Sequence, residues 1–167
     1  MRKFSVKISV VCLCLALSVA ILAGCGSVSL SKPTPLADVP TYPVTGKCDI
    51  VVNGDTITVL GQTDLMNGVF LNISVVAQNG MTVDSVTITK NGDQVSQDFK
   101  ITDKYENVDS IIGYITCAPT LYGNQPENVD KIYGDNFEYI EATKDNSVWN
   151  SDGVIVLFAS DMTELPK

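Results

Sequence analysis

From Cys48 onward, apolar and polar residues alternate in short segments punctuated by Asn-Gly and other turn residues. A period of two places successive side chains on opposite faces of a strand, so such a chain folds into sheets. Cys48 to Val52 runs into Asn53-Gly54 and then Asp55 to Leu60. Phe70 to Gln78 puts Leu71, Ile73, Val75 and Ala77 on one face. Val86 and Ile88 share a face before Asn91-Gly92. Val95, Phe99 and Ile101 share one after it, with Gln97 interrupting. Asn-Gly between alternating segments is the strongest short hairpin signal, because a type I′ turn needs positive φ at both central residues. The pair at 91–92 is the better hairpin; the pair at 53–54 also fits a bulge in one long strand.

Two further strands follow. Ser110 to Ala118 carries Ile111, Ile115 and Cys117 on one side. Gly153 to Ser160 is apolar on both faces, as expected of a strand paired on both edges. One short helix is expected, with Pro126 in its first turn, Val129, Ile132 and Tyr133 at helical spacing, and Gly134 as its stop. About seven strands with turn signals every 8–12 residues predict a mainly β, antiparallel β-sandwich over residues 47–167.

The N-terminus is of another kind. Arg2, Lys3 and Lys7 precede an apolar run from Ile8 to Leu22, which ends in Leu22-Ala23-Gly24-Cys25. This is the layout of a secretory signal, too short for a comfortable membrane span of about 20 apolar residues. The tetrapeptide resembles the lipobox of bacterial lipoproteins. The resemblance implies that residues 1–24 are a signal peptide, cut between Gly24 and Cys25, and that Cys25 carries lipid. The protein would then sit on the extracytoplasmic face of the cell membrane, its membrane partner engaged through that lipid. Residues 25–46, with Pro33, Pro35, Pro40 and Pro43 among Ser, Thr and Gly, read as an extended tether.

Processing sharpens the composition. Loss of Arg2, Lys3 and Lys7 takes Lys plus Arg from 11 to 8, while all 19 Asp and Glu stay, so the formal charge moves from −8 to −11. No Arg and no His remain. An acidic domain without Arg lacks the basic stripe that nucleic acid requires, so nucleic acid is excluded as a partner. Cys12 and Cys14 leave with the signal. With Cys25 acylated, Cys48 and Cys117 are left as one pair. A disulfide between them would close a loop of roughly 70 residues and contribute about 4 kcal/mol; two buried free thiols are the other reading. Two cysteines without His do not fill a structural zinc site.

A second resemblance lies in the domain itself. Gly61-Gln62-Thr63-Asp64-Leu65-Met66-Asn67-Gly68, followed by the strand at 70–78, is similar to a turn-and-strand pattern of Ig-like domains in Gram-positive lipoproteins and surface proteins. Asn124-Gln125-Pro126 with Val129, Ile132, Tyr133 and Gly134 resembles a second piece of that pattern. Met66 departs from it, standing where the pattern has proline. The resemblance implies an Ig-like sandwich and no particular chemistry.

Residues for catalysis are sparse. Without His there is no Ser-His-Asp or Cys-His arrangement. Lys90 and Lys100 are expected to point to solvent. Glu138 and Glu141 near Asp135 are the only carboxylates that suggest a hydrolase. Asp145, Asn146, Asn150 and Asp152 collect oxygen donors, but their spacing is not that of an EF-hand, and they read as a turn. No cofactor or metal is expected. The aromatics of the C-terminal third, Tyr122, Tyr133, Phe137, Tyr139 and Trp149, serve either as core or as a contact surface. Tyr122, Asn124 and Trp149 are the candidate binding residues, Trp149 in a polar loop. The expected function is therefore non-catalytic binding of a protein or glycan, or structural support, at the cell surface. An accessory subunit of an export, transport or envelope-assembly complex is the second reading, and a small carboxylate-dependent hydrolase the third.

Overall fold

A computed structural model of the protein describes residues 40–141, 143, 147–150 and 153–166. The expected signal peptide, the expected cleavage site at Gly24 and Cys25, and the expected tether up to residue 39 lie outside the described residues. The strands in chain order are β1 (Tyr42–Pro43), β2 (Gly46–Asn53), β3 (Thr56–Thr63), β4 (Phe70–Ala77), β5 (Thr82–Thr89) and β6 (Gln94–Lys100). After these come β7 (Ser110–Cys117), β8 (Ile140–Glu141), β9 (Ser147–Asn150), β10 (Gly153–Ala159) and β11 (Thr163–Glu164). The helix α1 (Glu127–Tyr133) lies between β7 and β8.

The fold is mainly β, with two antiparallel sheets. The small sheet has the order β2-β3-β6. The large sheet has the order β5-β4-β7-β10-β9, with β11 also pairing β7. Apolar alternation decides which faces meet. Ile57 and Val59 of β3 and Val95 and Phe99 of β6 are buried in one layer. Leu71, Ile73 and Val75 of β4, with Ile111 and Ile115 of β7 and Val156 and Phe158 of β10, are buried in the other. Glycine lets the layers close in. A Cβ at Gly61 would fall 1.9 Å from Ile115 Cδ1, and one at Gly113 would touch Val59 and Cys48. Bare backbone in each sheet thus receives a branched side chain of the other.

The two Asn-Gly turns exchange roles relative to expectation. Asn53 pairs with Thr56, so the β2–β3 hairpin turns on Gly54-Asp55. Gly54 has φ +59, and Asp55 is not among the residues with positive φ. Glycine at the first of two loop positions is the type II′ pattern, one residue later than the Asn-Gly reading. Asn91-Gly92, expected to close a hairpin, does not: β5 pairs with β4, β6 pairs with β3, and the turn carries the chain from one sheet to the other. The local signal for a turn is right in both places. Which strands pair is decided by the facing layer, which turn chemistry does not encode.

Two other expectations are corrected. The tether does not extend to residue 46. Tyr42 donates its N–H to Tyr139 O at 2.7 Å and β1 pairs in parallel with β8, while Val44 is buried. Cys48 and Cys117 are free thiols. Cys48 Sγ donates to Gly113 O at 3.4 Å. Cys117 is four residues further along β7, about 13 Å at strand rise. A disulfide needs Cα atoms within about 7 Å. Register, not loop length, decides the matter. Burial, then the charge of Asp49, pushes the Cys48 thiol up to about 12; burial also raises that of Cys117.

The helix forms where expected, with Pro126 just before it and Gly134 closing it through a bond from its N–H to Asp130 O at 2.8 Å. Val129 and Tyr133 face the core, whereas Ile132 is exposed. The strand Gly153–Ala159 is paired on both edges, by β7 and β9, as its two apolar faces imply. Among the described residues no helix is long and apolar enough to cross a membrane.

Candidate functional site

Three connections meet at one end of the sandwich: the loop from β3 to β4, the turn from β5 to β6, and the long passage from β7 to β10 that contains α1. Each leaves a strand on the same side, so hydrogen bonds can join them. Gly68 N–H donates to Lys90 O at 2.9 Å and Lys90 N–H returns to Val69 O at 2.8 Å. Asn67 Oδ1 accepts from Gly92 N–H at 2.9 Å and from the Lys90 ammonium at 3.4 Å. Lys90 is thereby buried rather than solvent-facing as expected, whereas Lys100 stands in solvent paired with Asp55.

The third connection is tied in by two side chains. Gln125 is buried, and its amide acts as an extra strand partner to β4. Its Oε1 accepts from Phe70 N–H at 2.8 Å, and its Nε2 donates to Phe70 O at 3.1 Å and Ala118 O at 2.9 Å. The Tyr133 hydroxyl oxygen accepts from Met66 N–H at 2.9 Å. Met66 replaces the proline of the resembling pattern, and a proline has no N–H to give. The Tyr133 ring meets Tyr42 and Phe137 edge to face at 5.7 and 5.9 Å. Phe137 is fully buried with φ +54, a conformation a bulky residue adopts only when its surroundings impose it. Its N–H is held by Gly134 O, and its own carbonyl by Ile140 N–H, both at 3.0 Å.

On this frame stands the exposed segment between Pro119 and Gln125. Gly123 N–H closes a turn on Thr120 O at 3.2 Å, and Leu121 bridges to Gly123. Leu121 is 62 % exposed. Tyr122 is half-buried and Asn124 exposed. Of the binding residues expected, the structure thus brings Tyr122 and Asn124 together and adds Leu121. Trp149 is not in a loop: it holds a β9 position paired with Val154 of β10. The oxygen-donor cluster at Asp145, Asn146 and Asp152 lies outside the described residues. Tyr133 and Phe137 are core; Tyr139 is half-buried.

Next to this end, an open depression of about 450 Å³ lies between Lys47, Gln62, Asp64 and Asp93. Both carboxylate oxygens of Asp64 are taken by Thr45, through its N–H and its hydroxyl, each at 2.8 Å. The Glu138 carboxylate is likewise committed, accepting from Asn136 N–H at 2.9 Å. Burial, and then the charges of Asp135 and Glu138, raises the Asp130 carboxyl above its ordinary value. Of the three carboxylates that suggested hydrolysis, Glu138 is thus occupied with local structure, while Asp135 and Glu141 are exposed. Among the described residues, no three His, Cys, Asp or Glu side chains form a group able to hold a metal.

The chain matches no family model, no curated protein and no solved structure.

Proposed function

We propose that the protein is a lipid-anchored, extracytoplasmic Ig-like domain that binds a protein or glycan at the cell surface through the loop end around Leu121, Tyr122 and Asn124. The observation that carries the reading is the contrast at that end. Exposed, chemically varied side chains stand on a backbone that Tyr133 ties to the loop from β3 to β4 and Gln125 ties to the start of β4. A preorganised contact surface loses little entropy on binding.

The Ig-like assignment rests on strand order. Lettering β2 to β7 and β10 as A to G gives sheets A-B-E and D-C-F-G. The constant-type arrangement has ABED and CFG, so the fourth strand has moved to the opposite sheet. In this order the loops B–C, D–E and F–G share one end, the end described above. The lipid anchor rests on Leu22-Ala23-Gly24-Cys25 alone.

Two measurements test the reading. Metabolic labelling with a fatty-acid analogue should mark the protein and fail on Cys25→Ala; label retained on the variant refutes the anchor. The double variant Leu121→Ala, Tyr122→Ala should reduce capture of labelled protein by a cell-envelope fraction at least tenfold with an unchanged far-UV spectrum. Unchanged capture refutes the loop end as the contact surface.

A further inference from the structure

The large sheet has a second face, turned away from the small sheet. It carries alternate residues of β4 (70–76), β7 (110–116), β10 (153–159) and β5 (85–89), and not one of them is Asp, Glu, Lys or Arg. The nearest carboxylate in register, Glu164 of β11, stands at a corner beside Ser110. The outward face of the small sheet differs, with Lys47, Asp49, Asp98 and Lys100 along it. In a chain of net charge −8, a charge-free face across four strands is a concentrated departure from composition.

The middle of that face is unusual in a second way. Asn72 and Thr116 are directly opposed across β4 and β7, and Ser74 is opposed to Tyr114. Asn72, Ser74 and Thr116 are only 7 %, 7 % and 5 % exposed. None of the three side chains has a hydrogen-bond partner among the described residues. Buried polar groups are normally paired, and each unpaired one carries a desolvation cost. Half-buried Phe70, Tyr114 and Leu157 surround them.

We propose that this face is the contact between two copies of the chain, packed sheet on sheet about a twofold axis. Acidic proteins repel one another, and screening acts only beyond about 8 Å at physiological salt. Close self-association therefore needs a face that keeps carboxylates apart, and this one does. Its composition, depleted of charge and bearing two aromatic and several long aliphatic side chains, is that of an interface core. A twofold contact sets the half-buried Phe70, Tyr114 and Leu157 of one copy against the same side chains of the other, an isologous arrangement. Four strands of about seven residues make a patch of about 19 by 23 Å. Two such patches reach the roughly 1,000 Å² that a specific interface requires once side-chain relief is included. The loop end stays free for its own partner, so this contact is independent of the function proposed above.

The test uses the full chain, expressed in one cell under two different epitope tags, with a photo-crosslinking phenylalanine analogue at Tyr114. Illumination should give a product of twice the monomer mass carrying both tags. The analogue at Gln62, on the outward face of the small sheet, should give none. Leu157→Glu should lower the Tyr114 product at least tenfold; if that variant does not fold, Thr87→Glu, at an exposed edge of the same face, reads the same quantity. A Tyr114 product of any other mass overturns the proposal in favour of a foreign protein or glycan. Absence of a product, an equal product from Gln62, or insensitivity to the added carboxylate also overturns it.

Discussion

Replacing Gln125 by Leu keeps the volume and burial of the side chain but removes its amide. Three hydrogen bonds to backbone groups go with it, from Phe70 N–H and to Phe70 O and Ala118 O, besides a long contact to Cys117 Sγ. At about 1 kcal/mol net per bond the loss is about 3 kcal/mol, and more if the freed β4 groups stay dry. For a domain of this size that is about 10 °C in melting temperature. Gln125→Glu separates hydrogen bonding from packing. One carboxylate oxygen still accepts from Phe70 N–H, but the other faces two carbonyl oxygens in place of the donor they had. The protonated acid satisfies one of them and the ionised form satisfies neither. The folded-state pKa of the new glutamate is therefore raised above its unfolded value of about 4.3. Stability is retained below pH ~4.3 and falls by about 1.4 kcal/mol per unit as pH rises toward the folded pKa. Urea unfolding at several pH values measures both effects. A loss under about 1 kcal/mol in the Leu variant, or a Glu variant whose deficit does not grow with pH, refutes the role assigned to the amide.

Cys48 and Cys117 should both resist alkylation until denaturant is added, and non-reducing mass spectrometry should find no peptide joining them; a linked peptide contradicts the packing of Cys48 against Gly113. Gly61→Val should cost upwards of about 2 kcal/mol in thermal or urea unfolding, because its side chain enters the space of Ile115, and a neutral result would mean the sheets are further apart. Phe137→Ala should cost about 3–5 kcal/mol, strain relief notwithstanding, by emptying the contact with Tyr133. Asp130→Asn should stabilise by a few tenths of a kcal/mol at pH 7, solvent screening included. The native carboxyl is raised, so its ionised form opposes folding, and the difference between variant and parent should vanish as pH falls below about 3.9, where both are neutral.

Local periodicity carried most of the strand content but little of the pairing. Alternation at Phe70–Ala77 marks the face that becomes core, because burial acts on every second side chain of a single strand. The partner of that strand depends on which other segments fill the facing layer. Asn91-Gly92 shows the limit: its residues make a turn, yet the bonds that hold it come from Asn67, over twenty positions away. Cys48 and Cys117 show it again, since counting thiols measures chain length between them while the strand register sets their separation in space.

The loop end proposed for binding was legible only in part, for a related reason. Tyr122 and Asn124 stand out as types suited to contact. Leu121 does not, because a single leucine in a loop gives no signal of its exposure. Gln125 is equally silent: a polar residue before a proline reads as solvated loop, whereas here its amide repeats the donor and acceptor pattern of a strand edge. Met66 is the informative exception. A proline would stiffen that turn locally, but it would leave the Tyr133 hydroxyl without the N–H it receives. The departure from pattern at one position is thus compensated by a long-range bond at another. It follows that α1 shares the holding of the Leu65–Gly68 turn with the turn from β5 to β6, and that loosening α1 should free Met66 before it affects either sheet.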